Sequence, residues 1–163
     1  MEFDMTFFSE TESRQGTQPK EREADMPYTV SGIPAPMISL LWEFADPFVR
    51  RALHHANSEL LPDDLKKSCL NRDMQLLLVH HGVWVVGAVI TEIILSPHKK
   101  HCRIIIIAGD DISAWAGVLD TVLMAWAQSL GCHVLEIPML DGLRKTLHSL
   151  GYRQNYGVAI KSL

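Results

Sequence analysis

Apolar residues recur along this chain with two different periods, and the switches between them mark its elements. Over residues 36 to 57, Leu40, Leu41, Phe44, Phe48, Arg51, Ala52 and His55 keep approximate three-four spacing. That spacing predicts a helix, with a break or restart at Pro47. A second helix is expected from Pro62 to about Leu70. Pro62 followed by Asp63 and Asp64 suits a first helical turn, where proline loses no bond and the dipole favours acids. The period then changes. "MQLLLVH" and "VWVVGAVITEIIL" read as strands on either side of a tight turn at His81-Gly82. After the turn "SPHKK", "HCRIIIIA" reads as a third strand, with the β-branched run of a central position.

Residues 112 to 130 carry the clearest helix. Ile112, Trp115, Ala116, Leu119, Val122, Leu123, Trp126, Ala127 and Leu130 keep helical spacing, and Gly131 closes it. Its other face is only weakly polar, with Asp120, Thr121, Gln128 and Ser129 among Val118, Met124 and Ala125. Such a helix is expected to be covered on more than one side, by the N-terminal helices or by a second chain. "CHVLEIPM" follows as a strand, "LDGLRKTLHSLG" as a short helix ending at Gly151, and "YRQNYGVAIKSL" as a final strand. The order is α-α-β-β-β-α-β-α-β. The strand–helix–strand unit over residues 103 to 138 predicts one parallel pair in an otherwise antiparallel sheet, an α/β chain with a mixed sheet.

With 163 residues, 47% of them apolar and 21% charged, the chain can bury one sizeable core. No apolar run reaches the length of a membrane span, and no basic-then-apolar signal opens the chain, so neither membrane insertion nor secretion is expected. Cys69, Cys102 and Cys132 are scattered and odd in number, which suits reduced thiols in a cytosolic setting. Charge is uneven. Residues 1 to 27 hold seven acids and three bases, whereas the rest holds twelve of each. A neutral body offers no electrostatic footprint for nucleic acid. Residues 9 to 27 carry too little apolar surface to offset ordering entropy, so residues 1–27 are expected to form a disordered acidic arm ahead of one domain, 28–163. The start, "MEFDMTFF", is apolar by contrast. It is either an incidental extension, Met26 offering another start for the folded body, or an arm that docks on a partner surface.

The element order resembles that of the GNAT superfamily, the acetyl-CoA-dependent N-acetyltransferases, over about residues 29 to 163. "LHSLGYRQNYGVAIKSL" is similar to the end of GNAT domains, where a helix closes with Leu-Gly-Phe or Leu-Gly-Tyr before the last strand. "NRDMQLLLV…GAVITEI…RIIIIAG…LDTVLMAWAQSLGCHVLEI" resembles one subgroup more closely. These are small GNAT-like proteins encoded in the structural-gene modules of tailed bacteriophages and prophages.

The resemblance also exposes two departures. In catalytic GNAT proteins the turn before the long helix carries Gln or Arg, two spacers, then Gly-x-Gly or Gly-x-Ala, so that backbone and helix N-terminus can hold a pyrophosphate. Here the turn is Ala108-Gly109-Asp110-Asp111, with no basic residue and no second nearby glycine. Asp110 or Asp111 is expected to cap the helix instead. Both carboxylates would repel a pyrophosphate, at ~1 kcal/mol per charge pair ~4 Å apart in water and more near a protein surface. GNAT enzymes also often place a tyrosine four residues before the closing glycine, as general acid for the leaving thiolate. Counting back from Gly151 gives Leu147, which transfers no proton. Tyr152 and Tyr156 are expected as core aromatics with satisfied hydroxyls.

If the junction does hold a cofactor, the resemblance implies Ile107, Gly109, Asp111 and Ser113 as its binding residues and Glu92 as a general base. Glu92 is otherwise a solvent-facing strand residue, and Glu136 invites the same comparison. In "HKKHC", His98, His101 and Cys102 have ligand chemistry, but two lysines oppose a cation and no second cluster follows, so no metal site is expected. The departures imply a catalytically degenerate GNAT-fold protein, a structural or interaction component of a tailed-phage virion or prophage. No cofactor is then expected. Its partners would be other virion or assembly proteins or further copies of itself, in the virion or host cytoplasm, without nucleic acid or membrane. The alternative is an active N-acetyltransferase that takes acetyl-CoA through an atypical loop. An anti-host effector that binds a host protein is a third reading.

Overall fold

The computed structural model describes residues 26–155 and 158–163. The acidic arm and its apolar start therefore lie outside the described residues, Met26 and Pro27 excepted. Among the described residues, seven strands form one sheet: β1 (Tyr28–Ile33), β2 (Met74–His81), β3 (Trp84–Leu95), β4 (Lys100–Gly109), β5 (Val134–Pro138), β6 (Arg153–Asn155) and β7 (Val158–Ser162). Their spatial order is β1-β2-β3-β4-β5-β7-β6, and only β4 and β5 run parallel. The helices are α1 (Ile38–His55), α2 (Pro62–Leu70), α3 (Ile112–Ser129) and α4 (Arg144–Ser149). This is the expected mixed sheet with its single parallel pair. Two strands were not expected. β1 is a short edge strand that contains Gly32, and the last expected strand divides into a β6–β7 hairpin. The first hairpin turn is Gly82-Val83, one residue later than expected, and Gly82 supplies the left-handed backbone (φ 60°) that a two-residue turn needs.

The helices pack on both faces of the sheet. One core joins α1 and α2 to β2, β3 and β4 through Ile38, Trp42, Val49, Leu65, Leu76, Ile90 and Ile106. The other joins α3 and α4 to the opposite face through Val89, Ile104, Trp115, Leu119, Leu123, Leu135 and Leu147. Each large side chain fully buried there contributes about 1.5–3 kcal/mol relative to exposure. α1 buries Ile38, Trp42, Ala45, Val49 and Leu53, not the row read from the sequence. Two apolar rows run along this helix. The row through Leu40 and Phe44 meets Arg51 and His55, whose burial would carry a desolvation cost, so it faces outward. Pro47 is exposed on that outer side and does not break α1.

α3 differs from expectation in its covering. α1 and α2 lie across the sheet from it, so they do not cover its outer side. Met124 packs at the edge of the core, while Val118 and Ala125 are exposed. Trp126, expected on the inner stripe, is half-buried against the same core. The polar residue Asp120 is buried instead. It accepts hydrogen bonds from the Tyr152 hydroxyl at 2.7 Å and from Lys161 Nζ at 2.8 Å, and so ties α3 to the C-terminal hairpin. Tyr152 is thus a core aromatic with a satisfied hydroxyl, as expected, and Tyr156 lies outside the described residues. Replacing Asp120 by Ala would strand a largely buried ammonium and an unpaired phenol. We predict a loss of about 3 kcal/mol in unfolding free energy, measured by urea denaturation, as for other broken buried pairs.

Candidate cofactor cleft

β4 and β5 pair at only three positions: His101 with Val134, Cys102 with Leu135 and Arg103 with Glu136. The ladder stops where β4 bulges. Across β3, Thr91 pairs with Ile104 and Ile90 with Ile106, so Ile105 is an extra residue. A bulge bends its strand and ends regular pairing, and here it lies where β4 and β5 part. The mouth of the resulting V lies between the end of β4, the first turn of α3 and α4.

The Ile107, Gly109, Asp111 and Ser113 set lies along one side of this mouth. Ile107 is buried against the α3 core. Gly109 ends β4, opposite Gly87 of β3. A Cβ on Gly109 would lie 2.6 Å from the Val86 carbonyl oxygen and 2.8 Å from the Trp115 ring, so packing requires the glycine. Trp115 is fully buried and its indole N–H donates to the Asp110 carbonyl at 2.8 Å, which fixes the turn to α3. Trp115 was read from the sequence only as a core residue. Its place against two glycines required the β3–β4 register, which local pattern does not give.

Neither aspartate caps α3. Asp111 adopts a left-handed conformation (φ 50°, ψ 51°) and its side chain makes no capping bond to the helix. Asp110 points outward to Arg51 of α1, whose two terminal nitrogens both lie 3.2 Å from Oδ1. The expected N-cap is thus corrected: the αL backbone leaves the Asp111 side chain out of the capping bond, and Arg51 holds Asp110. The turn also has a basic neighbour, 59 residues away in sequence. Ser113 is exposed, and its hydroxyl lies 3.4 Å from that of Thr146 on α4, so the two helices meet across the mouth.

Inside the V, α4 fills the space. Leu143, Leu147 and Leu150 meet Ile104, Ile107, Ala116, Leu119, Leu123 and Ile137, with Asp120 and Tyr152 at the polar end. The cavity left among them is about 10 Å³, room for no more than about one water molecule. Leu147, where the resemblance calls for a proton donor, is 3% exposed. Burial, and then the Asp120 carboxylate, push the Tyr152 phenol well above its ordinary range, so it keeps its proton.

Glu92 lies elsewhere, near the point where the strands part. Cys102 and Ile104 face α3, so His101 and Arg103 project from the other face of β4. There Glu136 accepts from Arg103 Nε at 2.8 Å and lies 2.7 Å from His101 Nδ1, while Glu92 is 3.7 Å from Arg103 Nη1. The structure therefore joins Glu92, Arg103, Glu136 and His101 in one chain and keeps it apart from the α3 turn. Burial alone would push the Glu136 carboxyl up; the hydrogen bonds and charges of Arg103 and His101 outweigh it and hold the carboxyl below its usual range. A carboxylate so engaged is a weak base. His101 and Cys102 point to opposite faces, and burial pushes the Cys102 and Cys69 thiols up to about 12. Among the described residues, no three potential ligands come together for a metal.

No family model and no curated protein sequence matches this chain. Solved structures do. A predicted acetyltransferase from Clostridium acetobutylicum, solved with acetyl-CoA, superposes with a TM-score of 0.59 at 13% identity, over 80% of this chain and 92% of that one. An N-acyl amino acid synthase from uncultured soil microbes gives 0.61 at 12% identity, over 85% and 91%. A GCN5-related N-acetyltransferase from Ralstonia eutropha gives 0.60 at 12% identity, over 80% and 95%. The fold is that of the GNAT acetyltransferases, and at these identities the likeness concerns the fold.

The lowered Glu136 acidity carries a pH dependence. A carboxyl depressed in the folded state contributes stability above its unfolded value, and that contribution fades as pH falls through the folded value. We expect Glu136→Gln to be less stable than the parent chain at pH 7 in denaturant titrations. The gap should narrow progressively below about pH 4.5, the ordinary carboxyl range.

Proposed function

We propose that this chain is a GNAT-fold protein without acyl-transfer chemistry, which works by associating with other proteins as a component of a tailed-phage particle or prophage. The observation that supports this reading most is Leu147. It stands at the proton donor's position, buried, in a cleft with about 10 Å³ left open. A thioester cofactor needs a channel for its pantetheine arm and a donor for its leaving sulfur, and α4 fills the first with the side chain that replaces the second. Asp111 adds negative charge at the turn where a pyrophosphate would lie, whereas Asp110 is paired with Arg51. The phage setting rests on the sequence resemblance alone.

The second reading, an acyltransferase with an atypical loop, has two observations in its favour. The first amides of α3 have no cap from Asp111, and Arg51 stands beside the turn. Helix donors with a nearby guanidinium are suited to phosphate. For such an enzyme Ile107, Gly109, Asp111 and Ser113 would line the cofactor, and Glu92, opposite Arg103 on β3, would be the candidate general base.

Titration calorimetry with acetyl-CoA, together with thermal unfolding, separates the two. We expect no saturable heat below millimolar cofactor and no shift in melting temperature. A micromolar Kd would favour the second reading; at about 100 times Kd the cofactor would then stabilise the fold by ~2.7 kcal/mol.

A further inference from the structure

The two edges of the sheet are built differently. β6 closes one side with three residues, Arg153, Gln154 and Asn155, all polar and exposed. A strand so short and charged is a poor template for another strand. β1 closes the other side. It has six residues with no charge and no proline, and it pairs with β2 in unbroken register from Tyr28 to Ile33. Among the described residues nothing pairs with its outer edge, which therefore presents a row of backbone donors and acceptors. The helix beside it is equally bare of charge. Asp120 is the only charged residue of α3, and it is buried. α3 packs over β1, where Tyr28 and Val30 join its core. Ser113 and Asp120 mark the flank of α3 that faces α4 and the C-terminal hairpin. Helical spacing puts Val118, Val122 and Ala125 on the opposite flank, the β1 side, and Val118 and Ala125 are exposed there.

The complement of an unpaired strand edge is another strand. We propose that β1 pairs antiparallel with β1 of a second copy of this chain, about a two-fold axis normal to the sheet, and so joins the two sheets into one. Residues opposite each other in an antiparallel pair share a face of the sheet. An axis at Val30 meets that condition. Tyr28 then lies opposite Gly32 of the second copy, and Thr29 opposite its Ser31. The tyrosine ring covers the position that has no side chain, and two hydroxyls meet on the other face. The same axis brings both α3 helices to one face of the joined sheet, with their uncharged flanks turned toward each other. Charge selects this partner. A charged strand would set its charge against a surface with no counter-charge, at a desolvation cost, and β6 of another copy would bring Arg153. β1 of a second copy brings none. Strand and flank make a strip about 20 Å long and about 20 Å deep. Pairing it with its copy buries on the order of 1,000 Å², where specific association begins, so a Kd of micromolar order is expected. The pairing holds whether or not acetyl-CoA binds.

Sedimentation equilibrium of the full chain, over about a hundredfold range of concentration, is the test. We expect a monomer–dimer equilibrium with a Kd of micromolar order. Ser31 is exposed, so Ser31→Lys should leave the fold intact, which circular dichroism checks. It sets one positive charge from each copy close together across the axis and should raise Kd by about tenfold or more. Gln154→Lys, on the β6 edge, should leave Kd unchanged. Hydrogen exchange of the unsubstituted chain needs no variant. The amides of β1 should exchange more slowly in concentrated than in dilute solution. A monomer at every concentration, a dimer that survives Ser31→Lys, a dimer broken by Gln154→Lys, or β1 exchange that ignores concentration would each overturn the proposal.

Discussion

The parting of β4 from β5 is the constraint on which the rest of this molecule depends. One extra residue, Ile105, bends β4 after three paired positions, and two parallel strands that began as neighbours diverge. A gap in the middle of a sheet must be filled, by a ligand, by water or by side chains, because buried surfaces left without contact forfeit dispersion energy. In this chain α4 fills it with leucines. The same arrangement explains why α4 can be so short. Its six residues are held by Leu147 in the cleft and by the Thr146–Ser113 contact at the rim. The Asp120–Tyr152–Lys161 clasp fastens the hairpin that follows.

Much of the fold was legible in the sequence because its strong signals are local. The α3 periodicity, the β-branched run of β4 and the glycines after α3 and α4 each declare themselves within a few residues. What escaped was set by distant partners. The sequence pattern reads as one apolar row on α1, through Leu40 and Phe44, whereas the row through Ile38, Trp42, Val49 and Leu53 meets the sheet; Arg51 and His55 on the first row turn it outward. β1 is too short and too polar to be distinguished from a loop until β2 stands beside it. Asp120 read as part of a weakly polar face because Lys161, its counter-charge, lies 41 residues further on.

The candidate site was legible in its chemistry and not in its geometry. Leu147 in place of a tyrosine can be counted from Gly151 without coordinates. Its burial among Ile104, Ile107 and Leu119 cannot. The α3 turn shows the reverse. Two aspartates beside a helix start read as caps, yet the backbone holds Asp111 in the left-handed region and Arg51 takes Asp110 outward. Glu92, taken singly, offered a base. The sheet register places it next to Arg103, whose guanidinium also bonds Glu136 and so stands between two carboxylates across β3, β4 and β5.

The central claim is that side chains, and not a vacant channel, occupy the V between β4 and β5. Leu147→Tyr tests it most directly, because it puts a larger side chain at a position where the cavity holds only about 10 Å³. The measurement is the unfolding free energy of this variant in urea. A filled cleft predicts a loss of about 1–3 kcal/mol, the cost of overpacking a closed core. Stability equal to or above that of the parent chain would show that the cleft has room for a tyrosine, and would contradict the account.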